Sequence, residues 1–290
     1  MQKRHILVAI LIAVIWGGNF SVMKIGVHDF PPIYYMFLRA MLVVPLAFFV
    51  PRPQISWKLL TLLGILLYVI KIPLVIAAIR YGLGAGLSAI ILQSQVFFTL
   101  LLAVIFLKEK PRISQIIGVT ISFAGVVFIS GTGSCYFSVI GFFLVLAAAI
   151  AWAVYNIKMA DARGVNTIHL TIWMHLAAPI PLFIASLLTE GWPTIVSATM
   201  NIRMDTIYSI FYAALLAGLL GYILWGGLLR RYQASVVAPF SLLVPVSAMI
   251  ISYFALEEKC EPSVFLGAGL VIFGLILNQY QPKKRQLPTN

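Results

Sequence analysis

Ten runs of apolar residues, each close to the length that crosses a bilayer, follow one another along this chain of 290 residues. A helix needs roughly 20 apolar residues to span the hydrocarbon core. Connectors with glycine, proline and charge separate the runs, as is typical of helix boundaries. The sequence therefore predicts an all-α polytopic membrane protein with ten transmembrane helices, at residues 6–25, 33–50, 58–80, 87–107, 113–130, 137–157, 168–188, 207–229, 236–256 and 263–280.

The composition excludes a soluble domain. Hydrophobic residues make up 62% of the chain and charged residues only 10%, whereas about a quarter of the residues in a soluble domain are charged. The net charge of +12 raises the question of nucleic acid. Nucleic-acid binders cluster their basic residues on one face, but here these residues lie in short connectors. We therefore expect membrane lipids around the chain and no nucleic-acid partner.

The basic residues also predict the orientation, because cytoplasmic connectors carry an excess of lysine and arginine. With the amino terminus inside, 14 basic residues fall on the inner side. Only four fall on the outer side, namely Lys24, Arg80, Arg203 and Lys259. Both termini are therefore predicted to be cytoplasmic.

Arg39 is the only charge in the run 33–50. A guanidinium at mid-membrane costs about 3 kcal/mol on insertion scales, so such residues usually face a polar interior and mark a functional site. An offset of 136 turns Arg39 and Pro45 into His175 and Pro181, which lie in the similarly apolar run 168–188. This correspondence predicts a duplicated molecule with Arg39 and His175 at equivalent depths.

The duplication extends through the later runs. Arg80-Tyr81 matches Arg231-Tyr232 at an offset of 151, and Glu109-Lys110 matches Glu258-Lys259 at an offset of 149. Five spans per half is an odd number, so the second half enters the membrane from the opposite side. The sequence thus predicts a 5+5 inverted-topology repeat, which is characteristic of transporters that alternate access around a midplane site. The predicted halves are residues 1–132 and residues 133–290, the latter including a basic cytoplasmic tail.

Several short motifs carry a family resemblance: Trp16-Gly17-Gly18-Asn19-Phe20, Pro31-Pro32 before Leu38-Arg39, Lys108-Glu109-Lys110, and Gly221-Tyr222 with Trp225. In these motifs the chain resembles the EamA-type branch of the drug/metabolite transporter superfamily. More narrowly, it is similar to the bacterial exporters of O-acetylserine and cysteine in Gly82 to Gly86, Leu92-Gln93-Ser94-Gln95 and Val237-Ala238-Pro239.

The resemblance implies ten helices around a central cavity in the bacterial cytoplasmic (inner) membrane, and export of small metabolites without ATP. It implies no cofactor and no metal, and no obligate protein partner is evident. One departure concerns the second half, where Trp152-Ala153-Val154-Tyr155-Asn156 echoes the first-span motif without its glycine pair. The two halves are therefore not expected to contact substrate in the same way.

Lys71 is the second predicted mid-membrane cation, and Tyr68 shares its helix face at a spacing of three residues. The lysine either faces the cavity or is made neutral by burial and is simply capped by backbone carbonyls. All eight acidic residues lie at span ends or in connectors, so no carboxylate of the chain neutralises the two cations inside the membrane. We therefore hypothesise that an amino-acid-like substrate places its carboxylate against Arg39, whose planar fork matches it, with Lys71 assisting.

Gln93 and Gln95 point to different faces of a regular helix. Ser88, Gln95 and Thr99 form one polar stripe, so the pattern favours Gln95 for the cavity. The alternative is a hydrogen bond between helices.

Aromatic and amide side chains recur at helical spacing. Three roles are open for them: lining the cavity, anchoring the span ends at the membrane interface, or packing against neighbouring helices. These candidates are Trp16 with Asn19, Trp152 with Asn156, and Tyr222 with Trp225 beside Gly218 and Gly221. His175 is either a packed histidine or a cavity residue linked to protons. Any proton coupling falls on His175 or Lys71, and uniport remains the alternative.

Other functional hypotheses have less support from the sequence. Efflux of a drug-like cation conflicts with two cavity cations, although another small organic compound such as a nucleoside stays open. A membrane-embedded enzyme requires converging catalytic side chains, and the sequence has no HExxH, no GxSxG and no paired intramembrane carboxylates. A channel is disfavoured by the inverted repeat.

Cys135 and Cys260 both fall in predicted outer connectors, so a disulfide between them is an open alternative.

Overall fold

The computed structural model describes residues 2–107, 113–131, 136–162, 164–231, 240–241, 243–256 and 262–279. Cys135 and Cys260 lie outside these residues, as do Lys108-Glu109-Lys110 and Val237-Ala238-Pro239. All regular structure in the described ranges is helical. The α-helices are α1 (Lys3–Gly26), α2 (Pro32–Val43), α3 (Trp57–Gly64), α4 (Ile72–Arg80), α5 (Ala85–Leu92), α6 (Gln95–Leu107), α7 (Ile113–Gly131), α8 (Val139–Lys158), α9 (Thr167–Met174), α10 (Pro179–Thr189), α11 (Trp192–Met200), α12 (Met204–Phe211), α13 (Gly221–Arg231), α14 (Leu243–Leu256) and α15 (Pro262–Gln279).

Six helical stretches are long and apolar enough to cross a membrane: Lys3–Gly26, Trp57–Arg80, Ala85–Phe106, Val139–Lys158, Thr167–Thr189 and Met204–Leu228. Each overlaps one of the predicted runs, so the described part of the chain is that of an all-helical membrane protein. Shorter apolar helices cover Pro32–Phe48, Ile116–Gly125, Leu243–Phe254 and Phe265–Gly274. The count of ten spans stays a prediction, because these four stretches are shorter than a full crossing.

Several long helices change their winding near the middle. A 3-10 segment, Val44–Phe48, follows α2 at Pro45, and another, His175–Ala177, precedes Pro179 at the start of α10. Proline has no backbone N–H and clashes with the preceding turn, which explains both breaks. These local breaks re-aim the side chains on either side of them.

Two π-helical segments occupy similar places in the two predicted halves. The first, Ile65–Lys71, joins α3 to α4, and the second, Tyr212–Leu220, joins α12 to α13. A π-helix pairs each residue with the fifth one along instead of the fourth, and such segments are frequent at functional sites. Both segments contact the interior of the molecule, so the strongest distortions of the helices lie next to its centre.

Glycines let α1 and α14 pack closely. A side-chain carbon at Gly17 would lie 2.8 Å from the backbone nitrogen of Ala248 and 2.9 Å from the carbonyl oxygen of Val244. Small residues of this kind allow membrane helices to approach each other without side chains between them. Because the glycine face of α1 is used for packing, Trp16 and Asn19 are turned towards a different part of the interior.

Glu190, just after α10, ties α10 to the beginning of α2. Its Oε1 accepts a hydrogen bond from the backbone nitrogen of Ile33 at 2.7 Å. Its Oε2 accepts from the backbone nitrogen of Tyr34 at 3.0 Å and from Ser186 Oγ at 2.6 Å. The first N–H groups of a helix have no partner inside the helix, and a carboxylate also suits the positive end of the helix dipole. Glu190 thus caps a helix that is distant in sequence.

Candidate functional site

A partly open cavity of about 50 Å³ lies between the helices, and we refer to it as the central cavity. Its polar and aromatic lining residues are Trp16, Asn19, Arg39, Lys71, Gln93, Trp152 and Tyr222. Its remaining lining residues are Phe20, Met23, Ile72, Val75, Leu92, Ala217 and Val244. Room for water-sized molecules needs only about 15 Å³, whereas pockets for drug-sized ligands measure about 300–1,000 Å³. A whole metabolite therefore enters only when neighbouring side chains or helices move.

Arg39 reaches the cavity from α2 and is only 3% exposed. Its Nε donates a hydrogen bond to the carbonyl oxygen of Ala213 at 2.9 Å, in the second π-helical segment. Its Nη1 is buried and has no hydrogen-bond partner among the residues that the structure describes. A guanidinium carries five N–H donors and no acceptor. Arg39 is thus anchored by one edge and keeps donor capacity at a cavity wall.

Lys71 ends the first π-helical segment and is 7% exposed. Its Nζ donates a hydrogen bond to Tyr222 Oη at 3.1 Å and lies 3.8 Å from the centre of the Trp152 ring. A cation above an aromatic face is attracted by the ring quadrupole. The sequence left open capping by backbone carbonyls, and the structure instead places a hydroxyl and an indole around this ammonium.

Trp16 forms the aromatic wall with α13. Its Nε1 donates a hydrogen bond to the carbonyl oxygen of Ala217 at 3.0 Å. Its ring centroid lies 5.2 Å from that of Tyr222 and 5.3 Å from that of Trp225. Trp16 and Tyr222 line the cavity, whereas Trp225 is not among the lining residues and packs behind Trp16. A close approach of Gly221 to the Trp16 indole explains the glycine before Tyr222.

The two glutamines have the arrangement opposite to the one that the sequence favoured. Gln93 lines the central cavity. Gln95 Oε1 instead accepts a hydrogen bond from Asn156 Nδ2 at 2.9 Å and one from Thr99 Oγ1 at 3.3 Å. The cause is the break between α5 and α6 at Gln93 and Ser94, which invalidates faces projected from a regular helix. Gln95 and Asn156 thus form a polar link between helices.

Tyr68 and His175 form a pair beside the cavity but do not line it. Their ring centroids are 3.8 Å apart. His175 Nδ1 lies 2.8 Å from the carbonyl oxygen of Thr171, so Nδ1 carries the proton and donates it. Tyr68 Oη and His175 Nε2 are buried with no partner in the described part of the chain. The predicted face shared by Tyr68 and Lys71 is lost because the segment between them is π-helical.

The central cavity has a strongly positive lining. Both Arg39 and Lys71 line it, and no aspartate or glutamate is among the lining residues that the structure describes. A larger cavity of about 870 Å³ lies at the ends of α1, α11 and α12. There Arg203 is 2.8 Å from Asp205 and 3.7 Å from Asp29, so opposite charges are already paired. The uncompensated charge lies in the smaller cavity, and we therefore assign the candidate site to it.

The sequence did not identify the apolar part of the lining. Met23 follows Asn19 by four residues and Trp16 by seven, so helical spacing on α1 was a usable signal for it. No comparable signal indicated Leu92, Ala217 or Val244, because each comes from a helix whose apolar residues are nearly continuous. No cluster of potential metal ligands occurs among the described residues.

Comparison with known proteins agrees with this architecture. The EamA-like transporter family matches the chain twice, over residues 3–131 and 139–280. A protein of Escherichia coli K12 named "Probable amino-acid metabolite efflux pump" is 37% identical, and the alignment covers 97% of this chain and 96% of that protein. A protein of the same name from Salmonella typhimurium LT2 is 35% identical with the same coverage.

A solved crystal structure shares the fold, with a TM-score of 0.67 at 14% identity, and the match covers 96% of each chain. Together, the two family matches and the relatives of nearly equal length place the protein among membrane transporters rather than enzymes. The chain belongs to the EamA-like transporter family.

Proposed function

We propose that the protein is a secondary exporter of small amino-acid-like metabolites of the cysteine and O-acetylserine class, working by alternating access. One observation carries the proposal: the buried cations Arg39 and Lys71 line a single cavity whose described lining contains no acidic residue. Charges inside a membrane protein usually pair with one another or mark a substrate pathway. The missing negative charge is assigned to the carboxylate of the substrate.

Arg39 is the principal carboxylate contact in this proposal. Its hydrogen bond to Ala213 fixes one edge of the guanidinium, so the donors at Nη1 are held in place for an anion. Bonds between a guanidinium and a carboxylate are charge-assisted and frequently bidentate. Lys71 contributes a second positive charge, and Tyr222 with Trp152 holds its ammonium at the wall. Trp16, Tyr222 and Trp152 then provide faces for the small side chain.

The proposed architecture is ten transmembrane helices in a 5+5 inverted repeat, with halves at residues 1–132 and 133–290. The family matches the chain in two consecutive segments, 3–131 and 139–280, which supports a duplication. The contact between Lys71 and Tyr222 also supports it, because these residues are 151 positions apart, the offset that relates the third and eighth predicted spans. Residues of equal position in two such halves come together only where they lie close to the axis that relates the halves. The π-helical segments flank the same region from both halves.

The proposed location is the bacterial cytoplasmic membrane with both termini inside. The distribution of basic residues over the connectors favours this orientation. Relatives from two bacteria that are named amino-acid metabolite efflux pumps support the direction of transport. Efflux of a cationic drug is the weaker alternative, because Arg39 and Lys71 would repel such cargo.

The test is transport by purified protein in proteoliposomes, with and without a pH gradient. We expect uptake and counterflow of O-acetylserine and cysteine, and none of a quaternary ammonium compound. Arg39→Ala should abolish the flux, whereas Arg80→Ala, which removes an exposed arginine at the end of α4, should retain it. Transport of the quaternary ammonium without the amino acids would overturn the proposal. Flux that depends on the pH gradient would indicate proton coupling, and flux that ignores it would indicate uniport.

A further inference from the structure

Two amide oxygens in the central cavity have no hydrogen-bond partner within the described residues. They are Asn19 Oδ1, on α1, and Gln93 Oε1, at the break between α5 and α6. Both residues line the cavity, and Gln93 is 2% exposed. Buried acceptors are nearly always satisfied in folded proteins, since leaving one unpaired costs free energy. Two of them in one small cavity are therefore a feature that needs a donor.

The orientation of the Asn19 amide is fixed by its other end. Nδ2 lies 3.4 Å from the sulfur of Met23. A thioether sulfur accepts hydrogen bonds and cannot donate them. The NH₂ group must therefore face Met23, and the oxygen is the atom left without a partner.

The side chain of Gln93 does not cap the ends of the helices at the break where the residue lies. Its backbone nitrogen donates to the carbonyl oxygen of Ile90 at 3.0 Å, and its own carbonyl accepts from the backbone nitrogen of Val96 at 3.0 Å. The backbone groups at the break are thus satisfied by other backbone groups. The side-chain amide is not needed as a cap, and its oxygen lies in the buried lining instead.

Two polar donors of the described lining, the Lys71 ammonium and the Trp16 indole, are already occupied. The Lys71 ammonium is bonded to Tyr222 Oη and lies over Trp152. The Trp16 indole donates to the carbonyl of Ala217. The unpartnered Nη1 of Arg39 is a donor that we assigned to a carboxylate. The two amide oxygens therefore match a donor that arrives with the ligand.

We propose that Asn19 Oδ1 and Gln93 Oε1 form an amino subsite that binds the α-ammonium group of a zwitterionic substrate while Arg39 binds its carboxylate. This inference rests on the proposed function. An ammonium has three N–H donors and no acceptor, which complements two acceptor oxygens. The negative ends of the amide dipoles also offset the repulsion that Arg39 and Lys71 exert on a cationic group. The cavity then selects free amino acids over carboxylic acids of the same size without the amine.

The test compares three ligands that share a thiol and a carboxylate: cysteine, its deaminated analogue 3-mercaptopropionate, and N-acetylcysteine. Affinities are measured for the full chain in lipid nanodiscs by calorimetry or tryptophan fluorescence. We expect the wild type to bind cysteine at least roughly tenfold more tightly than the other two, as the loss of a charge-assisted hydrogen bond predicts. Asn19→Leu should weaken cysteine binding by about the same factor and leave 3-mercaptopropionate within about twofold.

Gln93→Leu serves as the second variant, with the same expected loss of selectivity, in case Asn19→Leu does not fold. Asn201→Leu is the matched control, because the Asn201 side chain donates to the Ser197 carbonyl of its own helix at an exposed position and is not part of the central cavity lining. Equal wild-type affinities for cysteine and 3-mercaptopropionate would overturn the amino subsite while leaving the carboxylate site intact. Equal weakening of both ligands by Asn19→Leu and Gln93→Leu would also overturn it. A wild type that binds none of the three would instead remove the proposed function, and the subsite with it.

Discussion

Arg39 and His175 correspond under the offset that relates the predicted halves, yet the structure uses them differently. Arg39 lines the central cavity and bonds across to the second π-helical segment. His175 bonds a carbonyl of its own helix and stacks on Tyr68 of the first π-helical segment. Both side chains thus contact a π-helical segment of the opposite half. The shared framework fixes where a side chain meets the distorted helix, whereas the residue type decides whether it reaches the cavity.

The largest loss of substrate affinity is expected for Arg39→Ala, which tests whether Arg39 and His175 differ in function. The variant removes the carboxylate donor, so affinity for a carboxylate ligand should fall roughly 10- to 100-fold, in line with about 1.5–3 kcal/mol for charged hydrogen bonds. Thermal melting of the purified protein should stay close to wild type. Arg39→Lys keeps the charge without the fork and should recover only part of the affinity. Full affinity in Arg39→Ala would show that the two equivalent residues do not differ in function.

The second effect concerns Lys71→Gln, which removes the other cavity cation at similar length. We expect affinity for a carboxylate ligand to fall by about tenfold or less, because Lys71 assists rather than forms the fork. The dependence of binding on salt is a poor readout for a buried site, so calorimetry at fixed ionic strength is the measurement. Lys158→Gln, at an exposed ion pair with Asp161, is the control. Unchanged affinity in Lys71→Gln would assign the lysine to packing alone.

A smaller effect is expected for Tyr222→Phe, the partner of Lys71 from the other half. The substitution keeps the ring against Trp16 and deletes the hydroxyl that accepts from Lys71 Nζ. One hydrogen bond contributes about 0.5–1.5 kcal/mol, so substrate affinity should change by a factor of about 2 to 10. A double-mutant cycle with Lys71→Gln measures the coupling. Additive effects of the two substitutions would contradict a functional pair at the axis.

The smallest effect on binding is expected for His175→Gln. Since His175 lies outside the cavity lining, substrate affinity should remain within about twofold, whereas loss of ring packing should lower the free energy of unfolding by about 1 kcal/mol. Measurements of affinity and of denaturant midpoint on the same preparation separate the two. If His175→Gln instead removes the pH dependence of flux in proteoliposomes, the histidine carries protons. Arg39 and His175 would then differ in what they bind, Arg39 the substrate and His175 the proton.

The sequence predicted the helical membrane class and the two cavity cations for the same reason. A long apolar run has one stable form in a bilayer, and a charge inside such a run is too costly to be incidental. The sequence pattern assigned the wrong glutamine, Gln95 rather than Gln93, to the cavity. The reason is that the break between α5 and α6 rotates the faces of the two helices relative to each other. The pattern also failed for Tyr68, because a π-helical segment changes the angle between residues three apart. Backbone irregularities depend on packing between distant helices, which a periodic pattern does not record.

The apolar residues of the lining show a second limit. In soluble helices the polar face marks what is outside, but in α5 and α14 nearly every residue is apolar. Leu92 and Val244 therefore had no sequence signature that separated cavity from lipid. Polar residues inside the membrane were informative because they are rare there.

Glu190 has a mechanical consequence for the transport cycle. Its single carboxylate accepts two amide protons from α2 and one hydroxyl proton from α10. Pulling these helix ends apart would break the two charge-assisted bonds to α2 simultaneously and leave the carboxylate with only its bond to Ser186. We therefore expect the ends of α2 and α10 to shift as one unit, so that any opening on that face of the membrane forms along the boundaries between this unit and its neighbours.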